Sequence, residues 1–260
     1  MATLASIRNV AVIGHLHHGK TSLCDAIIEQ SHTKSWKLDS PQRRYTDARR
    51  SEQERGMSIH TTAYSLVVGS LQDKSFLLHL LDCPGHPDFE ADVEISVQAC
   101  DAAIIAVDCI EGVRLGTRRA IQHAVRAGCR LILGITKLDR LILETHVPPE
   151  DAYAQLLTVV ADTNAAIIAA TAPGATPMSV DPRDGSVLFS SAQHGLLFSV
   201  ESFIKQHCQL KLPVGSGSHQ VSDARLSRRM WGDWRYNIKS RSFFSLRNRN
   251  ASSTVAAASS

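Results

Sequence analysis

The chain has 260 residues and a formal net charge of +3, with 43% hydrophobic and 20% charged residues. This length suits one full α/β domain with a small appendage, and the composition is that of a folded chain and excludes a disordered one. The longest apolar runs, at 102–107 and 165–170, fall short of the ~18 residues of a membrane span, so we expect no membrane partner and no secretory signal.

From residue 8 to about residue 208, strand-like and helix-like segments alternate along the chain. Such alternation is typical of a doubly wound α/β domain, in which a mostly parallel sheet has helices on both faces. The predicted strands are 9–14, 61–68, 76–82, 102–108, 130–136 and 187–190, and the predicted helices are 20–30, 88–99, 116–127, 149–164 and 197–207.

The pattern divides the chain into three parts. Residues 1–212 form the predicted α/β domain, and 213–241 are predicted to be a linker with a partial further segment. The tail 242–260 is predicted to be disordered. Residues 219–260 carry eight Lys and Arg against two Asp. This basic stretch suits contact with RNA or an acidic protein surface, or is simply solvated.

A phosphate-binding loop follows the first predicted strand. It fits the pattern G-x-x-x-x-G-K-[ST], whose glycines let backbone amides surround phosphates. The lysine is expected to reach the β and γ phosphates, and the final hydroxyl is expected to bind Mg²⁺. The predicted phosphate-binding residues are Gly14, His15, Leu16, His17, His18, Gly19, Lys20 and Thr21.

A second motif selects the base. The string Thr136-Lys137-Leu138-Asp139 closes a predicted strand and fits the [NT]KxD pattern of guanine-specific sites. The Asp139 carboxylate is expected to accept from guanine N1–H and the 2-amino group, and adenine would leave it unpaired. Ser191 and Ala192 belong to a candidate loop beneath the guanine O6. These residues predict GTP and GDP as ligands.

The third motif is Asp82-Cys83-Pro84-Gly85-His86, again at a strand end. Asp82 is expected to hold Mg²⁺ through water, and the Gly85 amide to sense the γ-phosphate. His86 is the candidate catalytic residue, because phosphoryl transfer to water requires a group that orients the attacking water. A strand terminated by a Pro-Gly turn would account for Pro84 and Gly85, but not for the flanking acid and histidine.

The polar stretch 31–60 contains Tyr45-Thr46-Asp47 and then Glu54-Arg55-Gly56. These strings resemble the first switch of the elongation-factor-2 class of GTPases. The resemblance places Ser58 where translation factors use threonine to close on Mg²⁺ and the γ-phosphate. Serine keeps the hydroxyl and loses the methyl group, so we expect the closed switch to be held less well.

Within that class, the loop His15-Leu16-His17-His18 is similar to the spliceosomal GTPases of the U5 small nuclear ribonucleoprotein, as are residues 138–144 and 148–153. The resemblance implies slow GTP hydrolysis as a switch in splicing and a nuclear location. It implies a large scaffold protein, a helicase and U5 small nuclear RNA as partners. A ribosomal GTPase in the cytoplasm and a nucleotide-loaded interaction module with little hydrolysis are the alternatives.

Two departures from the family pattern stand out. Relatives continue into a β-barrel and further domains, so we expect this chain to be a free-standing domain, a divergent copy or a fragment. Thr136 stands where the family has asparagine, which removes an amide that braces the phosphate loop.

Overall fold

The computed structural model describes residues 6–31, 45–47, 49–69, 75–207, 223–232, 234–237 and 242–245. The chain forms two compact units, each described separately below. The larger unit comprises residues 1–180 and 188–197, and the smaller comprises 181–187 and 198–260. The division therefore lies earlier in the chain than the predicted domain end at residue 212.

Among the described residues, seven strands form one mostly parallel sheet in the order β2-β3-β1-β4-β5-β6-β7. β1 runs parallel to β3 and β4, β4 runs parallel to β5, and β2 pairs with β3 in the antiparallel sense. The predicted α/β sheet is confirmed. The strands are β1 (Ile7–Gly14), β2 (Thr62–Gly69), β3 (Ser75–Asp82), β4 (Ala102–Asp108), β5 (Arg130–Thr136), β6 (Val187–Ser191) and β7 (Leu196–Phe198).

Helices cover both faces of this sheet. The six consecutive β4 residues 103–108 are all buried, and since successive side chains point to opposite faces, neither face is open at this strand. The helices of the larger unit are α1 (Lys20–Ser31), α2 (Arg50–Arg55), α3 (Glu90–Gln98), α4 (Leu115–Arg126) and α5 (Pro149–Ala170).

The core beneath the first helix places the phosphate-binding loop. Leu23 and Cys24 of α1 are buried in one cluster with Val10 and Val12 of β1, together with Leu80 of β3. Val10 and Val12 lie two residues apart and thus on the same face of their strand. This packing fixes the start of α1 at the carboxyl end of β1, where ligands bind in open α/β sheets.

The longest helix, α5, buries one narrow stripe of side chains and exposes most of the rest. Its buried residues Val159, Val160, Thr163, Ala166 and Ile167 follow the helical repeat. By length and composition alone α5 is also long and apolar enough to cross a membrane. The buried stripe is that of a helix packed on a protein core.

The smaller unit contains short elements among its described residues. The predicted helix 197–207 is confirmed as α6 (Val200–His207), and the sequence did not predict α7 (Asp223–Met230), β8 (Trp234–Asn237) and β9 (Ser242–Ser245). β8 and β9 pair in the antiparallel sense. The predicted disorder of the tail is therefore wrong for residues 242–245, whose phenylalanines favour a strand. The rest of the tail, 246–260, lies outside the described residues.

Candidate functional site

The phosphate-binding loop joins β1 to α1, and its first position requires glycine. Gly14 has φ 146°, and a Cβ atom there would collide with the carbonyl oxygen of Ala106 on β4. His17 and Gly19 also have positive φ values, 60° and 81°. The loop turns tightly and presents the N-terminus of α1, which carries the positive end of the helix dipole.

Lys20 is a buried cation within this loop. It is 6% exposed, and its Nζ donates to the carbonyl oxygen of His15 at 2.8 Å. Burial lowers the pKa of Lys20, and the nearby Asp82 carboxylate opposes that shift. A desolvated ammonium group interacts strongly with an incoming anion because little water screens the pair. The arrangement suits the binding of phosphate.

Two histidines of the loop point away from the cavity that the loop helps to enclose. His18 is fully buried, and its Nδ1 accepts a hydrogen bond from the amide of Asp108 at 3.4 Å. Its ring meets that of His15 edge to face, with 5.2 Å between the ring centroids. Any phosphate contact from His15 and His18 would therefore come from their backbones, and it stays a prediction.

The burial of His18 makes the fold sensitive to acid. Desolvation lowers the pKa of His18 from 6.5 to about 4, against the opposing Glu111 carboxylate. Between these values the unfolded chain binds a proton that the folded chain does not, so the free energy of unfolding falls as the pH drops. The loss amounts to at most about 3 kcal/mol.

Urea unfolding at pH 7.0 and pH 4.5 measures this effect. The loss of stability between the two values should be smaller in His18→Asn than in the unchanged chain, because asparagine does not titrate. An equal loss in both proteins would contradict the assignment.

Residues from all three motifs enclose one cavity of about 270 Å³. The phosphate-binding loop forms one side, and the first switch segment, residues 45–47 and 49–60, forms the other. The cavity brings together most of the predicted phosphate and metal residues, and Lys137 of the guanine motif borders it. It is lined by Leu16, His17, Gly19, Lys20, Thr21, Ser22, Asp47, Gly56, Met57, Ser58, Gly85 and Lys137.

A group of oxygen atoms lies beside the loop lysine. The Thr21 hydroxyl lies 3.0 Å from the Ser58 hydroxyl, which donates to Asp47 Oδ1 at 2.7 Å. The Thr46 hydroxyl donates to Asp82 Oδ2 at 2.9 Å. Hydroxyl and carboxylate oxygens are the ligands that Mg²⁺ prefers. The sequence had assigned Thr21, Ser58 and Asp82 to the metal, but it gave no such role to Asp47.

Asp82 carries an unsatisfied buried oxygen. It is 1% exposed, and Oδ1 has no hydrogen-bond partner among the described residues. Burial raises the pKa of Asp82 to about 6. Because buried polar atoms are nearly always paired, an unpaired carboxylate oxygen next to two hydroxyl groups fits a divalent cation.

In the turn after β3, Gly85 and His86 lie next to different cavities. A Cβ atom at Gly85 would collide with Lys20 Nζ and lie 2.9 Å from the amide nitrogen of Leu16, so only glycine fits against the loop. His86 is directed elsewhere: its side chain is 32% exposed, and its Nδ1 accepts from the amide of Asp88 at 3.3 Å. His86 borders a second, smaller hollow with Pro84 and Glu90, and it does not line the phosphate cavity.

The guanine motif is braced by its first residue. The Thr136 hydroxyl donates to the carbonyl oxygen of His18 at 2.7 Å and contacts that of Val107 at 3.2 Å. In the family, an asparagine amide at this position braces the phosphate-binding loop, and its loss was expected to remove that contact. In this chain the Thr136 hydroxyl makes a contact to the loop instead. Asp139 Oδ1 accepts from the Ser191 hydroxyl at 2.6 Å, which brings the two predicted guanine elements together. Ala192 follows directly.

A fully buried aspartate orients the motif lysine. Asp108 Oδ2 lies 2.9 Å from Lys137 Nζ and 3.1 Å from an Arg140 guanidinium nitrogen. Its other oxygen accepts from the amide of Ile110 at 2.8 Å. Despite burial, these partners hold the pKa of Asp108 below its usual value. This residue could not be assigned a role from the sequence, because a single acid after a strand belongs to no motif.

Comparison with known proteins agrees with this geometry. The profile of the elongation factor Tu GTP binding domain matches residues 5–215. The chain is 38% identical over 246 residues to the 110 kDa U5 small nuclear ribonucleoprotein component CLO of Arabidopsis thaliana, covering 94% of this chain and 24% of that protein. It is 36% identical over 238 residues to pre-mRNA-splicing factor cwf10 of Schizosaccharomyces pombe, covering 91% and 23%.

The chain thus spans about a quarter of the length of these relatives. A solved structure of bacterial selenocysteine-specific elongation factor EF-Sec is 20% identical, with a TM-score of 0.51 over 78% of this chain and 27% of that one, and shares the fold. The profile covers the phosphate-binding loop, the first switch segment, the motif Asp82–His86 and the guanine motif. The chain belongs to the family of elongation factor Tu GTP-binding domains.

Proposed function

We propose that the chain binds GTP and Mg²⁺ and hydrolyses GTP to GDP and phosphate. One observation carries this proposal: the cavity beside Lys20 lies next to a guanine motif whose Asp139 and Ser191 are already in contact. The buried lysine supplies charge for the phosphates, and the Asp139 carboxylate selects the base. Titration with fluorescent GTP and ATP analogues tests the proposal, which predicts binding of the guanine nucleotide alone.

The proposed metal role belongs to Thr21, Ser58 and Asp82. Bound Mg²⁺ would neutralise charge on the β and γ phosphates during transfer. Asp82 supports this role with its unpaired buried oxygen, and the two hydroxyl groups lie within 3.0 Å of each other. The Gly85 amide and the amides of the phosphate-binding loop would bind phosphate oxygens.

Hydrolysis without an activating partner should be slow, in the range of about 10⁻⁴ to 10⁻² s⁻¹. His86 is the proposed residue that orients water, yet its side chain faces the second hollow and must rotate to act. His86→Ala should lower single-turnover hydrolysis by about tenfold or more and leave GTP affinity nearly unchanged. His79→Ala, at a half-buried position of strand β3 that does not line either cavity, is the matched control. An unchanged rate in His86→Ala would remove this residue from the mechanism.

The cellular role that we propose is a switch in pre-mRNA splicing, in the nucleus. One relative is named as a U5 small nuclear ribonucleoprotein component and the other as a pre-mRNA-splicing factor, and the chain matches each over more than nine-tenths of its own length. By resemblance, the proposed partners are a large U5 scaffold protein, a spliceosomal helicase and U5 small nuclear RNA. Copurification of U5 RNA with the tagged chain would support this role, whereas copurification of ribosomes would point to translation.

A nucleotide-loaded interaction module is the second candidate function. The orientation of His86 favours it, because a site without a water-orienting group binds GTP but hydrolyses it little. Single-turnover hydrolysis in the presence of a nuclear extract distinguishes the two. A rate that the extract does not raise, combined with tight GTP binding, would favour the module.

A further inference from the structure

A buried glutamate lies at the centre of the first switch segment. Glu52 is 1% exposed, although the next three residues of α2 are all exposed. Among the described residues no cation pairs with it; the ion pair of α2 joins Arg50 to Glu54 instead. Glutamate is almost never fully buried without a partner, so this position calls for a physical explanation.

Three backbone amides take the place of a counter-ion. Glu52 Oε1 accepts from the amides of Ile59 at 3.0 Å and His60 at 3.2 Å. Oε2 accepts from the amide of Arg49 at 3.3 Å. Amide donors stabilise a carboxylate strongly when it is shielded from water. One side chain therefore joins the start of α2 to the chain seven and eight residues beyond it.

The backbone between Glu52 and Ile59 turns back on itself, so the Glu52 carboxylate can reach the amide of Ile59. The carbonyl oxygen of Glu52 accepts from the amide of Met57 at 3.2 Å, and Gly56 adopts φ 62° after the last turn of α2. This left-handed conformation suits glycine and reverses the chain. Ser58 directly precedes Ile59 in the sequence, and the amide of Ile59 is one of those that the carboxylate binds.

We propose that Glu52 is a positioning residue that sets the Ser58 hydroxyl in the phosphate cavity and thereby favours GTP with Mg²⁺ over GDP. The inference rests on the proposed function. Its support is geometric: Ser58 is 9% exposed, lies 3.0 Å from Thr21 and donates to Asp47. No atom of Glu52 needs to touch the nucleotide, because its effect passes through the backbone of Ile59.

The far end of the segment is attached independently of Glu52. His60 Nδ1 lies 3.0 Å from Asp92 Oδ2 on α3, and the Thr61 hydroxyl lies 2.7 Å from the Ser96 hydroxyl. Loss of the Glu52 carboxylate should therefore release the chain before His60 and leave the connection to α3 in place. The expected change is local, with the melting temperature nearly unaltered.

The test uses three variants of the full chain. Glu52→Ala removes the acceptor oxygens, and Glu52→Gln keeps an oxygen for Ile59 and His60 but turns an NH₂ group toward the Arg49 amide. Glu54→Ala is the matched control, since it lies on the same helix with its side chain 63% exposed. Hydrogen exchange of the nucleotide-free chain reports the amides directly, and titration gives the affinities for a nonhydrolysable GTP analogue with Mg²⁺ and for GDP.

In Glu52→Ala, amide protection at Ile59 and His60 should be lost while that of strand β1 is kept. Affinity for the GTP analogue should fall about tenfold, affinity for GDP should change less than about twofold, and Glu52→Gln should be intermediate. The alanine variant should add no further loss to a Ser58→Ala background. Unchanged amide protection, or equal losses for both nucleotides, would overturn the inference.

These results separate the inference from the function on which it rests. If the unchanged chain prefers the GTP analogue and Glu52→Ala retains that preference in full, only the role of Glu52 fails. If the unchanged chain binds neither nucleotide, the proposed function fails and the switch role of Glu52 fails with it.

Discussion

Asp139→Asn should lower GTP affinity by about 30- to 1,000-fold and raise the affinity for xanthosine triphosphate. Asparagine presents an NH₂ donor to the 2-amino group of guanine, whereas xanthine carries an oxygen there that accepts from it. Loss of a charge-assisted pair in a shielded site corresponds to roughly 2 to 4 kcal/mol. The Ser191 hydroxyl, 2.6 Å from Asp139 Oδ1, holds the side chain in place for either base.

Equilibrium titration gives the affinities of the unchanged chain and of the variant for GTP and for xanthosine triphosphate, and so shows whether the preferred nucleotide changes. Asp162→Asn, at an exposed position of α5, makes the same chemical change away from the site and should alter neither affinity. A variant that still prefers GTP over xanthosine triphosphate would exclude Asp139 as the residue that reads the base. The guanine assignment would then lose its main physical support.

Lys20→Met should weaken GTP binding by about 30- to 1,000-fold and at the same time stabilise the nucleotide-free chain. Lys20 is 6% exposed, and its ammonium group donates to the carbonyl oxygen of His15. Its charged hydrogen bonds to phosphate correspond to roughly 2 to 4 kcal/mol. Without nucleotide the same charge is desolvated, so a methionine of similar length removes a penalty of about 1 kcal/mol or more.

Lys20→Met should weaken GTP binding but raise the stability of the nucleotide-free chain, and a variant that merely disrupts folding would lower both. GTP affinity is read by titration, and stability by urea unfolding without nucleotide. Lys205→Met, whose exposed ammonium group pairs with Glu201, should change GTP affinity little. A Lys20→Met protein that is less stable without nucleotide would show that the lysine holds the loop together. Affinity within about threefold of the unchanged chain would remove Lys20 from phosphate binding.

The motifs could be predicted because each is a continuous string at a strand end. Parallel strands bring their carboxyl ends to one edge of the sheet, so Lys20, Asp82 and Lys137 meet there whatever the intervening loops do. The hydrophobic repeat of the strands and of α4 is long enough to be seen without a structure. The larger unit and the location of its site follow from these two facts.

The first switch segment was harder to predict. α2 has six polar residues and therefore no apolar repeat, and the burial of Glu52 depends on amides that return to it only after the Gly56 turn. The orientation of His86 follows from an amide two residues later and from packing near Phe89, with 5.8 Å between the ring centroids. Contacts of this kind are set by the folded backbone and leave no pattern in the sequence.

The Thr136 hydroxyl, bonded to the carbonyl oxygen of His18, joins the base-reading and phosphate-binding halves of the cleft. A ligand that fills both halves loses the conformational entropy of this connected backbone only once. Guanosine alone or triphosphate alone would order the same backbone and lose the same entropy, but each would gain the contacts of only one half. The free energy of binding GTP should therefore exceed the sum of the two fragment values, and a threonine hydroxyl would transmit much of that excess.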